Sequence, residues 1–502
     1  MRRSVIVIVF IIILGGLAYY SGGYINNLIP KMFSVLLSLS VLSIGVVIFL
    51  ENRHPSNTVA WILLLALIPV VGFVFYLLFG QNYRKRRRFD RKAIQDKEVH
   101  RSIDQLTTRQ RAELEELTQN QQKLLHLSHK ISDSVISFST NTKILTNGEE
   151  TFAAILQELE KAVHHIHMEY YIYRDDAIGT QIKDILVEKA RAGVEVRFLY
   201  DAVGSYKLPF SFLEEMRRAG IEVVPFEPVR FPFLSSSVNY RNHRKIVVID
   251  GNVGFMGGLN VGDEYLSRNK TYGFWRDTHM FVKGEAVHSL QAIFVQDWFY
   301  MTGKAHVSAE YFRPEPEPEA DGAVQIIASG PDNKRKSMKH LFFSMITSAR
   351  KSIWIATPYF IPDEDILTAL RVAALSGIEV KILFPAKPDR WMPFLASHSY
   401  FSGLIESGVD IYEYEKGFLH SKILIIDGET ASIGTANMDM RSFHLNFEVN
   451  ALLFGTDSVQ TMVSDFKRDL KYTNLINPEK FARRKVIVRF LESAARLFSP
   501  LL

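Results

Sequence analysis

Hydrophobic and polar positions divide this chain into an apolar beginning and an alternating remainder. Residues 4–20, 32–50 and 59–80 contain no Asp, Glu, Lys or Arg. At 17, 19 and 22 residues, these runs reach the length of about 20 that a helix needs to cross hydrocarbon. They predict a membrane segment of two to three apolar helices over residues 1–80. The first run also reads as a secretory signal, with Arg2 and Arg3 before it and Gly16-Leu-Ala18 as a small-residue cleavage site. Two more runs follow, so cleavage would still leave the chain anchored.

Seven basic residues come next, Arg84, Lys85, Arg86, Arg87, Arg88, Arg91 and Lys92. They form a positive-inside flank suited to anionic headgroups, or simply a solvated stop-transfer flank. Arg2 and Arg3 place the N-terminus inside, and three spans from there put the cluster outside. Pro69 and Gly72 make the third run a candidate for a bent or re-entrant segment. The denser cluster places the rest of the chain on the cytoplasmic side of a multi-pass cell-membrane protein. Residues 93–132 lack Pro and Gly and are rich in Gln, Glu, Lys and Leu. They predict an exposed helical connector, which with the basic flank spans residues 81–139.

From residue 140 the pattern alternates between short apolar strands and amphipathic helices, and it does so twice. His165 to Tyr173, Gly193 to Tyr200 and a motif at His243 are answered by Ile353 to Ile361, Gly377 to Phe384 and a motif at His420. Strands alternating with helices predict α/β units around largely buried sheets. The fold class expected is α/β: two duplicated half-domains, 140–312 and 323–475, facing each other behind an N-terminal transmembrane helical segment. The Pro- and Glu-rich stretch 313–322 reads as a stiff solvated linker. The tail 476–502 mixes basic and apolar residues; it is either an interfacial helix or a terminal helix docked on the catalytic part.

The repeated motif is His-x-Lys-x-x-x-x-Asp: His243, Lys245 and Asp250, then His420, Lys422 and Asp427. The four residues between Lys and Asp are Ile, Val or Leu in both copies, which predicts a buried strand closed by an Asp-Gly turn. Positions i and i+2 of a strand share a face, so each His projects with its Lys. Segments ending in Asn260 and Asn437 follow, with small residues for close approach and amides able to donate to phosphate oxygens. Gly257 to Gly262 lacks the Lys-Ser/Thr of a nucleotide P-loop.

Two histidines and two lysines suit transfer of a phosphodiester. One imidazole attacks phosphorus while the other protonates the leaving alkoxide, and the roles reverse in the second step. Lys245 and Lys422 stabilise charge on the nonbridging oxygens. Each imidazole needs an orienting carboxylate. Glu448, 28 residues beyond His420, and Asp277, 34 residues beyond His243, occupy equivalent places. His165 and His167 alternate on one strand and read as histidines filling hydrogen bonds, because no third metal ligand lies near them.

Composition narrows the chemistry further. The chain has no cysteine, which removes disulfides, thiolate metal sites and cysteine nucleophiles. A net charge of +5 suggests an anionic partner. The densest positive charge sits beside the apolar runs and in the tail rather than in an extended groove with interleaved aromatics, so lipid is expected and nucleic acid is not.

The paired motifs resemble the phospholipase D superfamily, and within it the bacterial cardiolipin synthases of Gram-positive type. Glu51-Asn-Arg-His-Pro, Asn239-Tyr-Arg-Asn-His-Arg-Lys245, Gly258 to Tyr265 and Gly434-Thr-Ala-Asn-Met-Asp439 carry the resemblance. It implies metal- and cofactor-independent transfer of a phosphatidyl group between two phosphatidylglycerol molecules, giving cardiolipin and glycerol. It also carries the family's catalytic positions onto the six motif residues. The same motif serves a membrane-tethered hydrolase releasing phosphatidic acid, and the residues alone leave that alternative open, as they do the oligomeric state.

Overall fold

The computed structural model describes residues 55–67, 72, 117–229, 239–304 and 308–502, except 313, 316, 318, 319 and 334. The chain forms two compact units, Met1–Asp90 with Val229–Asn239, and Arg91–Pro228 with Tyr240–Leu502. In the first, the helix Pro55–Leu67 has 13 residues. No helix among the described residues is long and apolar enough to cross a membrane. The runs 4–20 and 32–50, the basic cluster and most of 59–80 lie outside the described residues.

The second unit contains two sheets built on one plan. In the seven-stranded sheet the order is Thr140–Thr146, Thr278–Gly284, Val253–Gly257, Ile246–Ile249, His165–Tyr170, Glu195–Asp201 and Glu222–Phe226. In the nine-stranded sheet Ala323–Ser329, Glu448–Phe454, Thr430–Gly434, Ile423–Ile426, Ser352–Ala356, Glu379–Pro385 and Asp410–Tyr414 follow in the corresponding order. Ile136–Ser137 and Thr473–Leu475 are added at its two edges. In both sheets the last three corresponding strands run parallel and the motif strand runs antiparallel to its neighbours.

Three hydrophobic clusters explain why the strands read as continuous apolar runs. Val247 and Ile249 face the first half's own core, whereas Ile246 and Val248 face a cluster that also contains Ile423 and Ile425 of the second half. Leu424 and Ile426 face the second half's own core. Each motif strand is thus covered on both faces, which removes polar alternation. The two halves share one core and form one compact unit.

Two expected spacers are attached to the globule. The end of the connector, helix Gln119–Ser132, buries Leu124, Leu125, Ser128 and Ile131 and joins the second half's core. In the linker, the Glu315 N–H donates to Asn252 (2.9 Å) and Glu317 pairs with Lys283 (2.7 Å), so this stretch lies along the first half.

Candidate active site

Each motif histidine is delivered by its own half and contacted by a carboxylate of the other. The segment before His243 runs parallel to the segment before Glu448: Asn242 bridges Phe447, the His243 N–H donates to the Phe447 carbonyl (2.9 Å), and the Phe447 N–H donates to the Arg241 carbonyl (2.9 Å). In the other half Gly417–Leu419 pairs in parallel with Phe274–Arg276, and the His420 N–H donates to the Arg276 carbonyl (2.7 Å). The carboxylate that follows each partner segment then meets the ring. His243 Nδ1 lies 3.1 and 3.0 Å from the two Glu448 oxygens, and His420 Nδ1 lies 2.7 Å from Asp277 Oδ2. Among the described residues neither Nε2 has a hydrogen-bond partner, which leaves Nε2 the open nitrogen of each ring.

The carboxylates are buried and held in place. Glu448 also accepts from the Thr435 hydroxyl (2.6 Å) and the Asn446 amide (3.1 Å), and Asp277 accepts from the Thr278 N–H (2.8 Å). Gly258 is needed for this: a Cβ there would meet Asp277 Oδ1 at 2.1 Å. The small residue therefore admits the orienting carboxylate, where the sequence had suggested room for a ligand.

Electrostatics favour neutral rings against ionised acids. Burial lowers the His243 pKa to about 4 against the opposing pull of Glu448, and burial followed by the Lys422 charge lowers that of His420. Burial raises Glu448 and Asp277, but their histidine partners and neighbouring lysines outweigh it and leave both below the usual carboxylate range. Each ring thus places an Nδ1–H on a carboxylate and an Nε2 lone pair outward.

Lys245 and Lys422 complete the cluster. Burial depresses them to about 7 and about 8, and each feels both Glu448 and Asp277. Lys245 Nζ donates to the His243 carbonyl (2.6 Å) and lies 5.5 Å from the centre of the Tyr171 ring, which packs edge-on to His243 at 5.0 Å. Lys422 Nζ donates to the His420 carbonyl. It also lies 2.9 Å from His420 Nδ1, whose proton points to Asp277, so Lys422 acts there as a neighbouring charge.

Asp250 and Asp427 are not at the reacting centre. Five residues at about 3.3 Å each separate them from the lysines, so they cap the far end of the strand. Both adopt left-handed backbone (φ 51° and 57°). Asp250 accepts the N–H groups of Val163, His164 and His165, and Asp427 those of Arg350, Lys351 and Ser352. This corrects the catalytic role expected for them: they lock the turn onto the neighbouring central strand.

Asn260 and Asn437 are likewise engaged within their own halves. Asn260 accepts from the Ile172 N–H (3.1 Å) and donates to the Tyr265 hydroxyl (3.2 Å). Asn437 hydrogen-bonds Asp439. Among the described residues Asn437 Oδ1 is buried without a hydrogen-bond partner, whereas Asn260 is tied to Ile172 and Tyr265.

Two arginines escaped the sequence reading. Arg244, the variable residue of the first motif, pairs with Asp297 and donates to the Glu448 carbonyl (3.2 Å) and the Ser329 carbonyl (3.2 Å). Arg276 pairs with Asp469 (2.7 Å) and Asp465 (3.3 Å) and donates to the Asp277 carbonyl. Each holds the backbone of an orienting carboxylate. Their burial is invisible without the duplication being folded, because arginine is ordinarily a surface residue. Trp275, whose ring centre is 5.1 Å from that of His420, also escaped, because its neighbour comes from the other half.

His165 and His167 both hydrogen-bond Gln291 (3.1 and 2.8 Å) inside the first half. Among the described residues no group of three or more His, Cys, Asp or Glu is placed to hold a metal ion. A groove of about 550 Å³ lined by Thr146, Arg276, Lys416, Asp465 and Tyr472 contains none of the six motif residues.

A family profile described as "Cardiolipin synthase, PLD-like domain" matches residues 155–298 and 342–470, and one described as "Phospholipase_D-nuclease N-terminal" matches 38–81. A cardiolipin synthase of Geobacillus sp. (strain WCH70) is 55% identical over 503 residues, covering 100% of both chains. A cardiolipin synthase 2 of Bacillus cereus is 58% identical over 472 residues, covering 93% of this chain and 90% of that one. Among solved structures, phosphatidylserine synthase of Haemophilus influenzae Rd KW20 shares the fold at 13% identity, with a TM-score of 0.56, covering 76% of this chain and 100% of that one.

Proposed function

The chain belongs to the cardiolipin synthases of the phospholipase D superfamily, and from that premise we propose how its paired site transfers a phosphatidyl group. The protein is a phosphatidyltransferase that makes cardiolipin and glycerol from two phosphatidylglycerol molecules.

In the first step Nε2 of one histidine attacks phosphorus of the donor lipid. The bond from phosphorus to the headgroup glycerol oxygen breaks, and the other histidine, as imidazolium, gives that oxygen its proton. This leaves a phosphatidyl-histidine and free glycerol. In the second step the now neutral histidine takes the proton of a glycerol hydroxyl on the acceptor phosphatidylglycerol. The acceptor oxygen attacks phosphorus, the phosphorus–nitrogen bond breaks, and cardiolipin leaves. Lys245 and Lys422 carry the charge on the nonbridging oxygens through both steps. Binding the phosphate anion raises the pKa of the lysines and of the acid histidine, restoring the cationic forms that burial disfavours.

The observation that carries this reading is the crossed pair of contacts, His243 with Glu448 and His420 with Asp277. It supports two equivalent histidines, each with a fixed Nδ1–H and a free Nε2, sharing one phosphate. The apolar composition of residues 1–80 supports an anchor at the cell membrane, with the catalytic unit on the cytoplasmic side. The decisive assay supplies labelled phosphatidylglycerol in mixed micelles to the purified protein. Cardiolipin with glycerol is expected; phosphatidic acid as the sole lipid product would mean that water takes the acceptor's place and would overturn the transferase reading.

A further inference from the structure

The C-terminal tail is docked inside out. The helix Val486–Arg496 buries Glu492 and Ala495 against the globule, and Arg484 pairs with Glu492 (2.9 Å). The following turn fixes it further: the Tyr400 hydroxyl donates to Ser499 Oγ (2.9 Å), and the Arg496 guanidinium stacks 4.5 Å from the centre of the Tyr400 ring. The large apolar side chains point the other way. Val486, Ile487, Phe490, Leu491, Leu497 and Phe498 are 81, 60, 66, 44, 81 and 44% exposed. At about 100° per residue these six fall within about 140° of arc, a continuous stripe that a docked helix normally turns inward.

One flank of the stripe is basic. Lys485, Arg489 and Arg496 lie within about 40° of one another on the same helical projection, next to Val486. Lys480 and Arg483 precede them, and all five are exposed. Among the described residues Lys480, Arg483, Lys485 and Arg489 have no ion-pair partner.

From this arrangement we infer that the outer face of the tail helix is a docking surface for an anionic lipid surface, and that it sets the catalytic cleft against its substrate. An exposed apolar stripe bordered by unpaired cations matches acyl chains beneath anionic headgroups. A second copy of this chain fits it poorly, because the flank carries a single sign of charge and pairing would bring like charges together. The tail is also hydrogen-bonded to Arg441, in the segment that follows Asn437. The Arg441 guanidinium donates to the Leu501 carbonyl (3.0 Å) and its N–H donates to the Leu502 carbonyl (2.9 Å). Arg441 also lies in the charge environment of Tyr171, the residue packed against His243. The inference deepens the lipid-transfer reading and rests on it.

Because the chain has no cysteine, a single Leu497→Cys variant of the full chain takes one nitroxide label. In phosphatidylglycerol vesicles the label should become accessible to a lipid-soluble relaxant and shielded from a water-soluble one. A label that stays water-accessible, or that is shielded without lipid as protein concentration rises, overturns the inference. A Phe490→Ser, Leu497→Ser double variant should lose about tenfold in kcat/KM on phosphatidylglycerol vesicles. On monomeric short-chain phosphatidylglycerol it should match the parent. Equal loss on both substrates assigns the helix a structural role and refutes docking. If the parent itself turns over neither substrate, the lipid-transfer reading fails instead.

Discussion

Replacing Glu448 with glutamine separates crossed from same-half orientation. Glu448 sits 3.0 and 3.1 Å from His243 Nδ1 while also accepting from Thr435 (2.6 Å) and Asn446 (3.1 Å). Glutamine keeps the shape but has one acceptor oxygen, and its amide nitrogen must face one of those donors. Thr435 accommodates it, because its hydroxyl can turn toward the Val449 carbonyl (3.3 Å) and accept instead. The imidazole then keeps a partner and loses the negative charge. Burial already holds His243 at about 4 even with Glu448 opposing it, so removing that charge lowers it further. Whether His243 acts as nucleophile or as acid, its cationic form loses its counter-ion. In the serine-protease triad the equivalent carboxylate-to-amide change costs about 10⁴ in kcat. Here a second oriented histidine and two lysines remain, so the expected fall in kcat is about 10² to 10⁴, or about 3 to 5 kcal/mol of barrier. Glycerol release from labelled phosphatidylglycerol in mixed micelles measures it. Nitrogen-15 NMR of the histidine rings assigns the cause, with His420→Ala separating the signals. The His243 Nδ1–H resonance should shift while that of His420 stays. A kcat within about threefold of the parent, or a shift at His420 instead, refutes the crossed arrangement.

Other perturbations follow from the same geometry. His243→Ala and His420→Ala should each abolish turnover, and full activity in either would rule out a shared site. Activity should fall as pH rises from about 7 to about 9, because Lys245 near 7 and Lys422 near 8 lose the cationic form. Bound phosphate raises both lysines, so the limb in kcat should lie at higher pH than that in kcat/KM; a flat profile to about pH 9.5 would contradict the lysine assignment. Asp250→Asn should lower the melting temperature through a weakened three-way N–H anchor, by about 1 to 3 kcal/mol of stability, while leaving kcat per folded molecule near the parent value. Gly258→Ala should drive Asp277 from His420 and remove most activity in a protein that still folds; parent-level turnover would show that the carboxylate has room to yield.

The strand-helix alternation and the repeated His-x-Lys-x-x-x-x-Asp were legible because both are local periodicities. Period-2 alternation with flanking turns marks strands, and a four-residue Ile/Val/Leu run marks a strand covered on both faces. Equivalent positions in the two copies also pointed to Asp277 and Glu448 as carboxylates of one kind. The role of Asp250 and Asp427 was misread for a reason visible in hindsight: strand rise alone carries them too far from the lysines to share their chemistry. The partners of Asn260, the Ile172 N–H and the Tyr265 hydroxyl, were not legible, because sequence spacing does not say what the fold brings near a buried amide.

Sequence alone therefore determined the duplication, the buried motif strands and the identity of the histidines, lysines and carboxylates, since each follows from residue type and short-range spacing. Tertiary structure decided which acid serves which ring. The parallel segments before His243 and Glu448, and before His420 and Asp277, come from opposite halves, separated by 205 and 143 residues. Pairing at that range is set by packing two sheets on one shared core, and no local pattern in the chain encodes it.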